Sequence, residues 1–167
     1  RLVLPLRTLL KVHGGKNVKF KQFQFLKNEA IKKLTALEEE PLRLRKRTIE
    51  ECLSADAVML AYIGDAVYSM YVRERVVQMN ITKVQILHTI VTEFICAKSQ
   101  AKVLLEIENT FTEEEQAIAR RARNSNVNVP KSSTVQEYRS STAFEAVLGF
   151  LYETRQEDRL QHILGQA

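Results

Sequence analysis

The chain has 167 residues, 25 Lys and Arg against 20 Asp and Glu, a net charge of +5, and an apolar fraction of 45%. That length closes a single core with room for an added arm. Five glycines and three prolines are too few for a turn-rich β-sandwich or barrel, or for low-complexity disorder, so an all-α fold is expected.

The basic charge is concentrated at the start. Residues 1–50 hold 13 Lys and Arg against five Glu, whereas residues 51–167 hold 12 against 15 acids. This divides the chain into a basic N-terminal extension, 1–47, and a mildly acidic body, 48–167. The extension begins without Met, and its first acidic residue is Glu29. Its composition suits an arm that tracks phosphates or the remainder of an organelle-targeting region.

Within the extension, Phe23, Leu26, Ala30, Leu34 and Leu37 recur at helical spacing, predicting a helix over about 21–40 that Pro41 ends. Residues 42–47 then read as a basic linker, and Thr48 with Glu51 has the spacing of a capping box. Residues 57–77 are apolar almost all round, interrupted by Gly64-Asp65. The repeat Leu87, Ile90, Val91, Phe94, Ala97, Ala101, Leu104 predicts one long amphipathic helix over 84–107. Thr112 and Glu115 cap a short helix that closes on Arg120-Arg-Ala-Arg123, a loop follows over 124–134, and 141–152 reads as a last buried helix.

Motifs exclude several chemistries. Cys52 and Cys96 lie 44 positions apart and the three histidines are scattered, so zinc and disulfide frameworks are ruled out, and both thiols read as reduced and buried. There is no GxGxxG, Walker loop or GxSxG, and no apolar run reaches the ~20 residues that span a bilayer, so no membrane is expected as a partner. Two carboxylates stand out inside apolar runs, Asp65 and Glu145. Either they are caps, Asp65 after Gly64 and Glu145 paired with Thr142, or they bind a cation, for which oxygen ligands and water suit Mg²⁺ or Mn²⁺.

Ala61-Tyr-Ile-Gly-Asp-Ala-Val-Tyr68 and Ser141-Thr-Ala-Phe-Glu-Ala-Val-Leu-Gly-Phe-Leu-Tyr152 resemble the two acidic helices of the ribonuclease III endonuclease domain. With the Arg120–Asn124 to Val129–Lys131 loop and Tyr138-Arg139, the order of motifs is closest to the Mini-ribonuclease III branch. The larger enzymes have four acidic positions, and here two of them are Ala61 and Thr142. The larger proteins also carry a double-stranded-RNA-binding domain, for which the 17 residues after Phe150 leave no room.

The resemblance implies a Mg²⁺-dependent endoribonuclease in which Asp65 and Glu145 hold the metal, with Thr142 supporting a bound water. Arg120, Arg121, Arg123, Asn124, Lys131 and Arg139 would contact duplex RNA, through phosphates and 2′-hydroxyls. It further implies a homodimer and a substrate in large-subunit ribosomal RNA or its precursor particle, in the bacterial cytoplasm or in an organelle. The alternative is an inactive ribonuclease III-like protein that serves an organellar ribosome, or its assembly, as an RNA-binding structural component.

Overall fold

A computed structural model describes residues 18–36, 45–126 and 128–167. The chain divides into two units, Arg1–Arg45 and Lys46–Ala167. In the first unit, α1 spans Val18–Ala36, and the Glu29 carboxylate pairs with Lys32 one turn later at 2.9 Å. Leu37, the helix end expected at Pro41 and residues 42–44 of the expected linker lie outside the described residues.

Among its described residues the second unit contains helices and loops and no strand, the α-helices being α2 (Ile49–Ser54), α3 (Ala57–Val77), α4 (Val84–Ile95), α5 (Ala97–Ile107), α6 (Glu113–Arg123), α7 (Val135–Glu153) and α8 (Glu157–Gln166). A 3-10 turn, Glu108–Thr110, links α5 to the α6 cap. Local chemistry sets the starts. Thr48 and Thr112 each accept from the backbone N–H three residues on, while Glu51 and Glu115 accept from the cap N–H in return. Asp56 accepts from the Val58 N–H at 2.9 Å and opens α3. Each such cap is worth ~1 kcal/mol.

Four expectations are corrected. First, α3 runs through Gly64-Asp65 without interruption, so Asp65 is a mid-helix residue and not a cap. Second, α7 begins at Val135 behind a capping box made by Thr134 and Glu137, which leaves Thr142 and Glu145 in its middle. Third, the single helix expected over 84–107 is broken at Cys96, whose backbone is extended with ψ 152°. There the Ser99 hydroxyl donates to the Glu93 carbonyl at 2.6 Å and the Cys96 thiol to the same oxygen at 3.3 Å, replacing helix bonds with side-chain ones. Fourth, that break leaves Cys96 exposed, whereas Cys52 is buried as expected. The terminal helix α8 is not marked in the sequence, because its three apolar residues, Leu160, Ile163 and Leu164, sit in a short and otherwise mostly polar segment.

The core is organised around α3 and α7, the most extensive helix pair in the unit. From Ser141 to Leu151 every residue of α7 is buried except Glu145, which is half-buried. Two glycines set the crossing. A β-carbon on Gly64 would fall 1.7 Å from the Glu145 carbonyl oxygen, and one on Gly149 would fall 1.9 Å from that of Leu60. The backbones therefore touch, and no other residue type fits either position. Tyr68 then packs edge-on against Phe144, with ring centroids 5.1 Å apart.

The last helix is tied to this core by charge. Glu115 is buried, and Arg159 of α8 donates to both of its carboxylate oxygens at 2.8 Å. Its second terminal nitrogen bond goes to the Thr110 carbonyl, also at 2.8 Å. Glu115 thus serves at once as cap partner for α6 and as anchor for α8.

Candidate active site

Asp65 follows the glycine that rests on the Glu145 carbonyl, so the helix crossing brings the two carboxylates together. Asp65 is exposed, while Glu145 is held in the seam between helices. Burial, followed by the neighbouring negative charge of Asp65, pushes the Glu145 carboxyl up to about 8, with the Gln100 amide acting in the opposite direction. Among the described residues neither carboxylate has an ion-pair partner. Two acids in this relation are stabilised by a shared cation, which supplies the charge that the protein withholds.

No group of three or more His, Cys, Asp and Glu side chains converges anywhere among the described residues. A site of two carboxylates nevertheless fits Mg²⁺, which keeps several waters and is held by one or two carboxylates together with phosphate oxygens. Thr142 is buried one turn before Glu145 on α7, and its hydroxyl donates to the Tyr138 carbonyl at 2.9 Å. That bond fixes the hydroxyl proton and leaves the oxygen lone pairs as acceptors. Ala61, four residues before Asp65, is buried against the core.

The residues expected to meet RNA separate into distinct groups. A groove of about 770 Å³ between α5, the end of α6 and the start of α7 brings together Arg123, Asn124 and Arg139. Lys98 and Lys102, which the motifs do not single out, line it too. Their spacing of four on a helix ending near the arginines was the available signal. Neither Asp65 nor Glu145 lines this groove.

Arg123 enters the groove already paired with Glu108 at 2.7 Å, and Arg120 faces a smaller recess with Asn109 and Phe111. Lys131 is exposed in the α6–α7 loop. Arg121 is engaged elsewhere, donating to the Leu53 and Ala55 carbonyls at the end of α2. Its guanidinium closes the C-terminus of that helix.

A helical body with paired carboxylates at its central crossing is the architecture of a ribonuclease III endonuclease domain, and the Ribonuclease III domain model matches residues 58–156. The Mini-ribonuclease 3 of Thermoanaerobacter sp. (strain X514) is 43% identical over 118 residues, which cover 70% of this chain and 83% of that protein. That of Streptococcus pneumoniae is 40% identical over 112 residues, covering 65% and 88%. A crystal structure of a protein from Fusobacterium nucleatum superposes with a TM-score of 0.63 at 30% identity, covering 67% of this chain and 90% of the other.

The chain belongs to the ribonuclease III family, in its Mini-ribonuclease III branch, and is a double-strand-specific endoribonuclease. Proteins of this family bind double-stranded RNA, use divalent metal ions and typically dimerise. Among the described residues, no helix is long and apolar enough to cross a membrane.

Proposed function

We propose that this endoribonuclease is Mg²⁺-dependent, with Mn²⁺ able to substitute, that it acts as a homodimer, and that it matures large-subunit ribosomal RNA. The observation that carries the reading is the Asp65–Glu145 pair at the α3–α7 crossing, one acid exposed and the other pushed up to about 8 by burial and by its neighbour. When bound there, the cation activates water and neutralises charge that builds on the scissile phosphate. Asp65 presents its carboxylate at the surface, where a phosphate oxygen arrives. Glu145 would hold the inner side of the cation as its ionised carboxylate. Thr142 offers a lone pair to a water on the same face of α7.

Duplex RNA is held through its phosphates and 2′-hydroxyls by Lys98, Lys102, Arg123, Asn124 and Arg139 in the groove, with Arg120 in the neighbouring recess and Lys131 in the α6–α7 loop as further contacts. The dimer reading is supported by α3, whose outer face shows Met59, Met70 and Tyr62, the last 81% exposed. An isologous contact there would set two sites on one duplex. The relatives reported above are bacterial proteins, which favours the bacterial cytoplasm as compartment over the organellar option.

The test is to incubate the protein with a duplex-containing large-subunit ribosomal RNA precursor, with and without Mg²⁺, and map the ends. Discrete paired cuts on opposite strands that require Mg²⁺ are expected. Asp65→Asn and Glu145→Gln should each lower the rate by about a hundredfold or more while leaving the helical circular dichroism unchanged. Cleavage at the wild-type rate by either variant would remove the residue from the site.

A further inference from the structure

Gln100 is the polar side chain that the site leaves unassigned. It lies on α5 with no exposed surface, and neither its Oε1 nor its Nε2 makes a hydrogen bond of ordinary geometry, although the carboxamide is close enough to the Glu145 carboxyl to favour its ionised form. The other buried unpaired side-chain atoms among the described residues are single ones on partly exposed residues, Oε1 of Gln24 and Nε of Arg123. Gln100 stands with Leu104 and Ile107 on the buried stripe of α5, a position where a leucine would pack. Buried amides are paired in the great majority of cases, so one without a hydrogen bond of ordinary geometry at a core position points to a ligand.

Its location names that ligand. α5 packs along α7, and the Gln100 carboxamide lies beside the Glu145 carboxyl, near enough to favour its ionised form. An amide offers what a second carboxylate could not, a donor and an acceptor on adjacent atoms without added charge. We propose that Gln100 is a positioning residue of the active site, its Nε2 donating to the Glu145 carboxylate and its Oε1 accepting from a water of the cation's hydration shell. It acts through Glu145 and the ordered water and touches no RNA. The assignment rests on the divalent-cation reading of Asp65 and Glu145.

The experiment uses the full chain with Gln100→Met, a near-isosteric change that deletes the amide, and Gln100→Leu as a second variant. Mn²⁺ alone is the probe, with the free ion followed by electron paramagnetic resonance, and thermal unfolding is measured in chelator. Both variants should unfold at or above the wild-type temperature while binding Mn²⁺ about tenfold or more weakly. In duplex cleavage, kcat should fall with KM unchanged. Wild-type Mn²⁺ affinity in Gln100→Met would overturn the proposal, as would a lower unfolding temperature in both variants, which marks a structural amide. Asp65→Asn separates the failures. If it loses Mn²⁺ while Gln100→Met retains it, only the role of Gln100 falls; if it too retains Mn²⁺, the cation site falls as well.

Discussion

At the scale of single residues, Glu145 couples the fold to pH. In metal-free protein its carboxyl stays protonated up to about pH 8, because burial and the charge of Asp65 oppose ionisation, whereas the ordinary value is 4.5. Between these values the unfolded chain binds fewer protons than the folded one, so stability falls as pH rises across that window and is fully retained below it. Thermal unfolding in chelator at pH 5, 6.5 and 8 should therefore show a declining midpoint. Glu145→Gln should abolish this part of the decline, matching wild type at pH 5 and exceeding it at pH 8. Both carboxylates were legible in the sequence, because an acid in a long apolar run needs a reason to be there. Gln100 was not, since an uncharged amide at a helical position looks like ordinary surface until its burial is known.

At the scale of elements, the α3–α7 crossing depends on the missing side chains of Gly64 and Gly149. Gly64→Ala gains helix propensity of about 1 kcal/mol but drives a methyl group into a backbone carbonyl, a clash that costs more than the usual 1–3 kcal/mol of overpacking. Urea unfolding should show a net loss of ~3 kcal/mol or outright failure to fold. Gly165→Ala is the control: nothing lies within 4 Å of its added carbon, so it should be neutral or stabilising by a few tenths of a kcal/mol. The helices themselves were largely readable from periodicity and caps. The break at Cys96 was not, because the apolar repeat continues across it and the bonds from Ser99 and Cys96 to Glu93 arise only once the chain turns. Nor was the start of α7, where the Thr134–Glu137 box lies in a polar stretch that reads as loop.

At the scale of the whole molecule, charge sorts into structural and binding roles that composition alone cannot separate. The body carries more acids than bases, yet Lys98, Lys102, Arg123 and Arg139 converge on one groove. Arg139→Ala should weaken duplex binding across sequences and flatten the dependence of log affinity on log salt by about one, as read by filter binding at several salt concentrations. Arg121→Ala should leave that slope unchanged and instead lower stability by ~2 kcal/mol, because it releases the end of α2. The sequence grouped Arg121 with Arg120 and Arg123 as RNA contacts, since neighbouring charges on a helix end do not reveal which one turns inward. A last consequence follows from the backbone contact between Gly64 and Glu145. With the two acids mounted where the main helices touch, their spacing is as rigid as the core, and no loop can swing either one away without dismantling the hydrophobic centre. Such a centre works as an anvil: the backbone positions that carry the two acids are fixed by the core, and it is the duplex that must come to them.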